Sequence, residues 1–278
     1  MTNDIFLMSL FIIVTILMLR IKCFQMTNKS LIIAHRGESF EAPENTLAAI
    51  NLAWKRNAEA VEVDIQLSKD KQIVVIHDTN TKRTGGVSKK VSAQSLHELK
   101  NLEFGKFKGK KWISEKIPTL EEVLSSVPSN KKIILDIKCG LDIIPSLKKD
   151  IDNSGLDIDQ IELVGFKFKT MVTIKKTFPE NIVLWCHNLD YNIIRKIVKP
   201  NINLLIKRAF DNSLNGIDVW DSNLISKSIV ESIKNLGLKI YVWTVNDLER
   251  AKRLIELGVD GINSDKPSWL TNNLFNTI

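Results

Sequence analysis

The sequence predicts an α/β fold: a closed eight-stranded parallel (TIM-type) β/α barrel with a small insertion after the second strand. Three observations point to it. Eight short runs rich in Ile, Val and Leu alternate with amphipathic stretches. The 253 residues from Met26 to the end match the roughly 250 that eight strand–helix units occupy. Polar side chains gather where the apolar runs end, which is where barrel active sites lie. A doubly wound open sheet of similar length is the alternative, and the placement of the polar residues separates the two.

The apolar runs are 31–34, 60–67, 132–137, 161–164, 182–186, 216–219, 239–244 and 260–262. Such continuous apolar character is what parallel strands covered on both faces need. Between them Leu47, Ile50, Trp54 and Ala58 recur every three or four residues, as do Leu248, Ala251, Leu254 and Ile255, the spacing of a helix with one buried stripe. The last stretch opens with Asn246 and Glu249 at capping-box spacing and stops at Gly258, so both of its ends are marked.

One segment breaks the rhythm. Residues 78–118 contain glycines at 85, 86, 105 and 109 and many lysines, and are expected to form an excursion from the barrel mouth rather than a strand–helix unit. Between Gln66 and Ile117, twelve Lys or Arg stand against five acids, a surplus of seven that equals the whole net charge of +7. A positive surface there suits anionic partners such as phosphorylated substrates, nucleic acid or acidic lipid. A lysine-rich solvated face is the plainer reading.

The composition, 44% hydrophobic and 26% charged over 278 residues, excludes collagen-like, disordered and polytopic membrane classes. Cys23, Cys139 and Cys186 share no short spacing, which argues against a disulfide framework or a thiolate zinc site. The N-terminus stands apart. Residues 5–19 are apolar except for Ser9 and Thr15 and are followed by Arg20 and Lys22, short for a span of about 20 residues but suited to a signal-peptide core or short anchor. Residues 1–25 are therefore expected to be a signal peptide or membrane anchor, making the protein membrane-associated or exported, with the barrel over 26–278. A third reading takes Met26, whose Met-Thr-Asn repeats residues 1–3, as the true start, with a cytoplasmic protein as its consequence.

The candidate chemistry sits at strand ends. The first run closes in His35-Arg36-Gly37, an acid/base group beside an anion clamp and a glycine that lets the chain turn. Taken alone, the pair would more often be core or surface. In the second run, Glu62 and Asp64 fall on one face by the two-residue period. Two carboxylates facing the same way inside a barrel repel unless a cation lies between them, and oxygen ligands suit magnesium or calcium. The apolar stretch 73–76 delivers His77-Asp78, and the third barrel strand carries Asp136 and Lys138 two apart. His35 and His77 form the pair that general acid–base cleavage wants, although neighbouring charges often pair without function.

Together, His35-Arg36-Gly37, Pro43-Glu44-Asn45-Thr46, Glu62-x-Asp64, His77-Asp78, Pro118-Thr119-Leu120-Glu121-Glu122, Asp136-Ile137-Lys138, Trp243-Thr244-Val245-Asn246-Asp247 and Gly258-Val259-Asp260-Gly261-Ile262 resemble the glycerophosphodiester phosphodiesterase family, in family order from about Leu31 to Leu270. The resemblance implies a barrel hydrolase that cuts glycerophosphodiesters into glycerol 3-phosphate and an alcohol with a divalent cation, Mg²⁺ or Ca²⁺. By the same resemblance His35 and His77 match the acid/base pair, Glu62, Asp64 and Asp136 the metal ligands, and Arg36 and Lys138 the phosphate contacts. It also assigns the insertion a role in substrate access. Most members carry Glu where this chain has Asp136, one methylene shorter.

The other candidates rank lower. His97 reads as a helix-surface residue and His187 follows a strand without a matched motif. Trp243 is either core packing or a wall for the alcohol moiety, Trp185 and Trp220 are packing or rim, and nothing near Cys139 suggests thiolate activation. The expected partner is a small glycerophosphodiester, with membrane association through the N-terminus and no nucleic acid. Two rivals remain: a lysophospholipase D type of enzyme acting at a bilayer, and a barrel that binds phosphodiesters but is catalytically impaired.

Overall fold

The computed structural model describes residues 30–192, 197–199 and 201–275. Its strands are β1 (Leu31–His35), β2 (Ala60–Leu67), β3 (Ile73–Val75), β4 (Lys132–Ile137), β5 (Ile161–Gly165), β6 (Ile182–His187), β7 (Asp190–Asn192), β8 (Ile197–Lys199), β9 (Gly216–Trp220), β10 (Lys239–Trp243) and β11 (Gly261–Ser264). The order β1-β11-β10-β9-β6-β5-β4-β2 closes on itself through a β1–β2 pairing, and all of these neighbours are parallel. This is the expected eight-stranded barrel. Strands β7 and β8 form a separate antiparallel ribbon.

The helices are α1 (Leu47–Lys55), α2 (Lys82–Gly85), α3 (Leu96–Lys100), α4 (Leu120–Leu124), α5 (Ile144–Asn153), α6 (Phe168–Thr177), α7 (Ile202–Asp211), α8 (Lys227–Lys234), α9 (Leu248–Leu257) and α10 (Pro267–Phe275). The two-residue period divides each strand between two cores. Outward residues such as Ile32, Val61 and Val63 pack with Ile50 and Ala53 of α1 in the layer between barrel and helices. Inward residues Ile33, Ala60, Ile134, Val164, Leu184, Cys186 and Tyr241 fill the barrel below its mouth. Tyr241 fits because β11 offers Gly261, where a Cβ would lie 2.7 Å from the ring.

Strand β2 outruns β1. Glu62 is level with His35, the last paired residue of β1, and beyond it Ile65, Gln66 and Leu67 pair with the antiparallel β3. The stretch after β2 is therefore no barrel strand but a return that brings the chain back over the mouth. The insertion it opens has a small core of its own, built from Val74, Ile76, Val91, Leu99, Phe104 and Ile117.

One helix start differs from its sequence reading. The N-cap of α9 is Asp247, whose side chain accepts from the Arg250 N–H at 2.8 Å, one residue later than the Asn246–Glu249 spacing suggested. Asn246 is held instead by the residues that follow β11. Among the described residues no helix is long and apolar enough to cross a membrane; the apolar run 5–19 and the 25/26 boundary lie outside them.

Candidate active site

The C-terminal ends of the strands converge on a cavity of about 90 Å³ lined by His35, Arg36, Glu62, His77, Asp136, Lys138, Val164, Phe166, Asp218, Trp243 and Asn263. Seven of the eight residues singled out in the sequence thus share one wall-to-wall space. The eighth, Asp64, is buried directly behind it.

The turn after β1 explains the His-Arg-Gly run. Arg36 takes a left-handed φ of 58°, a conformation that costs free energy outside glycine. It sends the Arg36 N–H to Glu62 Oε2 at 3.0 Å, and its guanidinium meets Asp64 at 3.1 Å and Glu44 at 2.8 Å. Gly37 follows with φ 84°, and a Cβ there would come within 2.6 Å of the α1 backbone. Each polar residue of the next motif has its own task. Glu44 clamps Arg36 and Arg83, Asn45 exchanges two hydrogen bonds with Asp64 at 2.7 and 3.1 Å, and the Thr46 side chain caps α1.

Asp64 and Asp136 face each other across paired strands. One oxygen each from Glu62, Asp64 and Asp136 lies within 4.8 Å of the others, and Lys138 donates to both aspartates, at 2.8 Å to Asp64. Burial, then repulsion from Asp64 and Asp136, pushes the Glu62 carboxyl well above the usual range. Burial also raises Asp136, against the pull of Lys138. Burial works against the Asp64 charge too, yet Lys138 and Arg36 hold its carboxyl below the usual range. Two cations thus leave three buried carboxylates under-compensated. Asp136 Oδ1 has no hydrogen-bond partner among the described residues. An all-oxygen donor set with residual negative charge fits a hard divalent cation.

Both histidines are held from behind. His35 Nδ1 lies 2.7 Å from Asp265 Oδ1 and His77 Nδ1 lies 2.8 Å from Asp78 Oδ1. Burial opposes the Asp265 charge, but the His35 contact brings its carboxyl down to about 2; hydrogen bonds from Arg83 bring Asp78 to about 2 as well. Ionised carboxylates only accept, so each Nδ1 donates and each Nε2 is left for the cavity. Arg83 also grips Glu44 at 2.6 and 2.9 Å, so an ionic chain runs from His77 through Asp78, Arg83 and Glu44 to Arg36. Gln66 Nε2 sits 3.0, 2.9 and 2.8 Å from the carbonyls of Ile76, His77 and Asp78 and fixes that turn from below.

Residues 35–268 match the glycerophosphoryl diester phosphodiesterase family. The chain belongs to it. A glycerophosphodiester phosphodiesterase of Caldanaerobacter subterraneus subsp. tengcongensis is 32% identical over 250 residues, 88% of this chain and 97% of that one. The Bacillus subtilis protein YhdW is 37% identical over 243 residues, 86% of this chain and 96% of its own length. A human lysophospholipase D is 29% identical over 275 residues, covering 88% and 86%. Among solved structures, an Oleispira antarctica phosphodiesterase in complex with its product sn-glycerol-3-phosphate superposes with a TM-score of 0.77 at 27% identity, covering 87% of this chain and 95% of that one. The chain is therefore an enzyme of the phosphoric diester hydrolase class.

From the sequence, Asp265, Arg83, Gln66, Asp218 and Asn263 show no role in the site, and Asn246 reads only as a helix start and part of a motif. Asn246 accepts from the Asp265 N–H at 2.8 Å and donates to its carboxylate at 2.8 Å, so the residue that resembled a helix cap orients the partner of His35. Trp243 lines the cavity and stands edge-on to Phe166 and Trp220, with ring centroids 5.6 and 4.9 Å away. His97 is exposed on α3. His187 packs on Trp185 at 4.0 Å, outside the cavity lining. Burial raises the Cys139 thiol to about 11 and that of Cys186 well above its usual range, which leaves neither poised as a nucleophile.

Proposed function

We propose that the enzyme hydrolyses glycerophosphodiesters to glycerol 3-phosphate and an alcohol, with His35 and His77 as the acid/base pair and a divalent cation, Mg²⁺ or Ca²⁺, as cofactor. The observation that carries this reading is the pair of imidazoles, each held at Nδ1 by a carboxylate, at a cavity beside three clustered carboxylates, of which Glu62 and Asp136 line it and Asp64 lies behind. Glu62, Asp64 and Asp136 would hold the cation, which when bound neutralises charge building on the phosphoryl oxygens. Arg36 and Lys138 add positive charge on the same side and orient the phosphate. One imidazole deprotonates the nucleophile, either the neighbouring glycerol hydroxyl or water, and the other protonates the leaving alkoxide; each transfer contributes roughly 100- to 10,000-fold. Trp243 forms an aromatic wall for the organic part of the substrate.

The test is release of glycerol 3-phosphate from glycerophosphocholine, with and without chelator. Full activity in excess EDTA would remove the metal from the reading. No release with any divalent cation would favour a barrel that only binds phosphodiesters. A second reading has the name of the human relative behind it: cleavage of lysophospholipids at a bilayer, to which the apolar residues 5–19 would bring the enzyme. Comparing glycerophosphocholine with lysophosphatidylcholine separates the two substrates. A chain beginning at Met26 should keep hydrolysis of the soluble substrate and lose only membrane association; loss of cooperative melting or of most turnover would place the segment within the fold.

A further inference from the structure

Three consecutive strands, from β9 to the β11 that pairs with β1, present polar atoms that nothing in the catalytic scheme uses. Strands β9, β10 and β11 are adjacent in the barrel and send Asp218, Trp243 and Asn263 into the lining. Asp218 and Asn263 are only 5% and 2% exposed. Asp218 Oδ1, Asn263 Oδ1 and Trp243 Nε1 are each buried without a hydrogen-bond partner among the described residues. Among the described residues the other Asp218 oxygen accepts only from the Cys186 thiol, 3.9 Å away. A carboxyl oxygen, an amide oxygen and an indole N–H are thus buried together on one wall, and unpaired buried polar atoms are costly unless a ligand answers them.

The donor count restricts what that ligand is. Phosphate oxygens accept, so they match Arg36 and Lys138 and leave the Asn263 amide oxygen unanswered. A quaternary ammonium has no hydrogen to donate. A vicinal diol offers two O–H donors, and its oxygens can accept from an indole N–H. We propose that Asp218 and Asn263 hydrogen-bond the two free hydroxyls of the substrate's glycerol before reaction, with Trp243 Nε1 donating to one of them, so that this wall selects glycerol over other alcohols. The proposal rests on the phosphodiesterase reading above and deepens it. It also sets the direction of binding: glycerol faces β9–β11, the phosphate lies towards β1, β2 and β4, and the leaving alcohol points to solvent.

The experiment is calorimetric binding to the full chain in the presence of Mg²⁺, comparing sn-glycerol 3-phosphate with 2-hydroxypropyl phosphate. The second ligand keeps the hydroxyl next to the phosphorylated carbon and lacks the terminal one. The wild type should prefer glycerol 3-phosphate by about tenfold or more, since a buried acceptor left unpaired is expensive. Of Asp218→Ala and Asn263→Ala, the variant that loses the contact to the terminal hydroxyl should cut that preference to below about threefold, and the other should weaken both ligands alike. Trp243→Phe, which removes the N–H and keeps a ring, should weaken the ligand that retains the contacted hydroxyl. Should one alanine variant fail to fold, the other two variants decide the matter. No preference in the wild type, or an equal loss for both ligands in every variant, overturns the proposal. Failure of the hydrolytic reading looks different: no glycerol 3-phosphate released from glycerophosphocholine, while the binding preference persists.

Discussion

The β1–β2–β4 side of the barrel mouth and the β9–β10–β11 side bury polar groups in opposite ways. On the first, His35, His77, Arg36, Asp64 and Lys138 all sit in hydrogen-bonded or ionic contacts of 2.7–3.1 Å. On the second, Asp218, Asn263 and Trp243 each keep an unpaired buried atom. Apart from Asp136 Oδ1, in the carboxylate cluster, the first side is engaged with itself and so preorganised, and its groups need little rearrangement when charge develops during reaction. A wall with open valences is expensive until a ligand arrives, and that expense is what makes it discriminate between ligands. On the proposed reading, chemistry and substrate choice occupy separate arcs of one barrel, and it should be possible to damage either alone.

The largest effect is expected on the engaged side. His35→Ala and His77→Ala should each leave the melting transition in place and lower turnover by about two orders of magnitude or more, the scale of a general acid or base. A variant that keeps more than about a tenth of wild-type turnover would remove that histidine from its role. Next comes the carboxylate behind His35. Asp265→Asn removes a charge-assisted hydrogen bond worth roughly 1.5–3 kcal/mol, or about 10- to 100-fold in rate. The loss should appear in kcat rather than in KM for glycerophosphocholine; an effect confined to KM would move Asp265 from orienting the imidazole to binding substrate.

A smaller change is expected from Asp136→Glu. Asp136 Oδ1 is unpartnered and already lies with Glu62 and Asp64 in one cluster, so the longer arm has little to correct. Magnesium-supported turnover should be preserved or modestly raised, by less than about tenfold. A collapse of turnover would show that the spacing of this cluster is tuned to the shorter side chain.

The two arcs were not equally legible in the sequence. The eight barrel strands stand out because parallel strands buried on both faces must be apolar throughout. Glu62, Asp64, Asp136 and Lys138 stand out for the same reason, as charges where a buried strand tolerates none. Asp265 was missed because its meaning lies in a contact with His35, 230 residues away. Arg83 and Gln66 were missed because an insertion and a strand extension bring them to the site, and neither has a periodic signature. Asp218 and Asn263 were in principle readable. Asp218 is a lone polar residue inside the apolar run 216–219, the rule that singled out Glu62, but it has no second acid two residues away to reinforce it, and Asn263 stands just past the run 260–262, where polar residues end a strand without comment.

The smallest effect is on stability, and it tests the open wall without substrate. Burial first, and then repulsion from Asp136, pushes the Asp218 carboxyl well above its usual range in the folded protein. A carboxyl that binds its proton more tightly when folded destabilises the fold once the unfolded chain has released that proton, so the cost begins above the ordinary value of 3.8 and grows with pH until the folded group ionises. Asp218→Asn removes the titration while keeping the shape. Its melting temperature should exceed that of the wild type at pH 7, and the difference should shrink towards zero as the pH is lowered below 3.8. The same variant should bind sn-glycerol 3-phosphate no better than the wild type, because stability gained at a binding wall comes from a group the ligand was meant to satisfy. A melting temperature lower than wild type at pH 7 would mean that Asp218 is already compensated, which would close the open side of the comparison and leave the barrel mouth uniformly engaged.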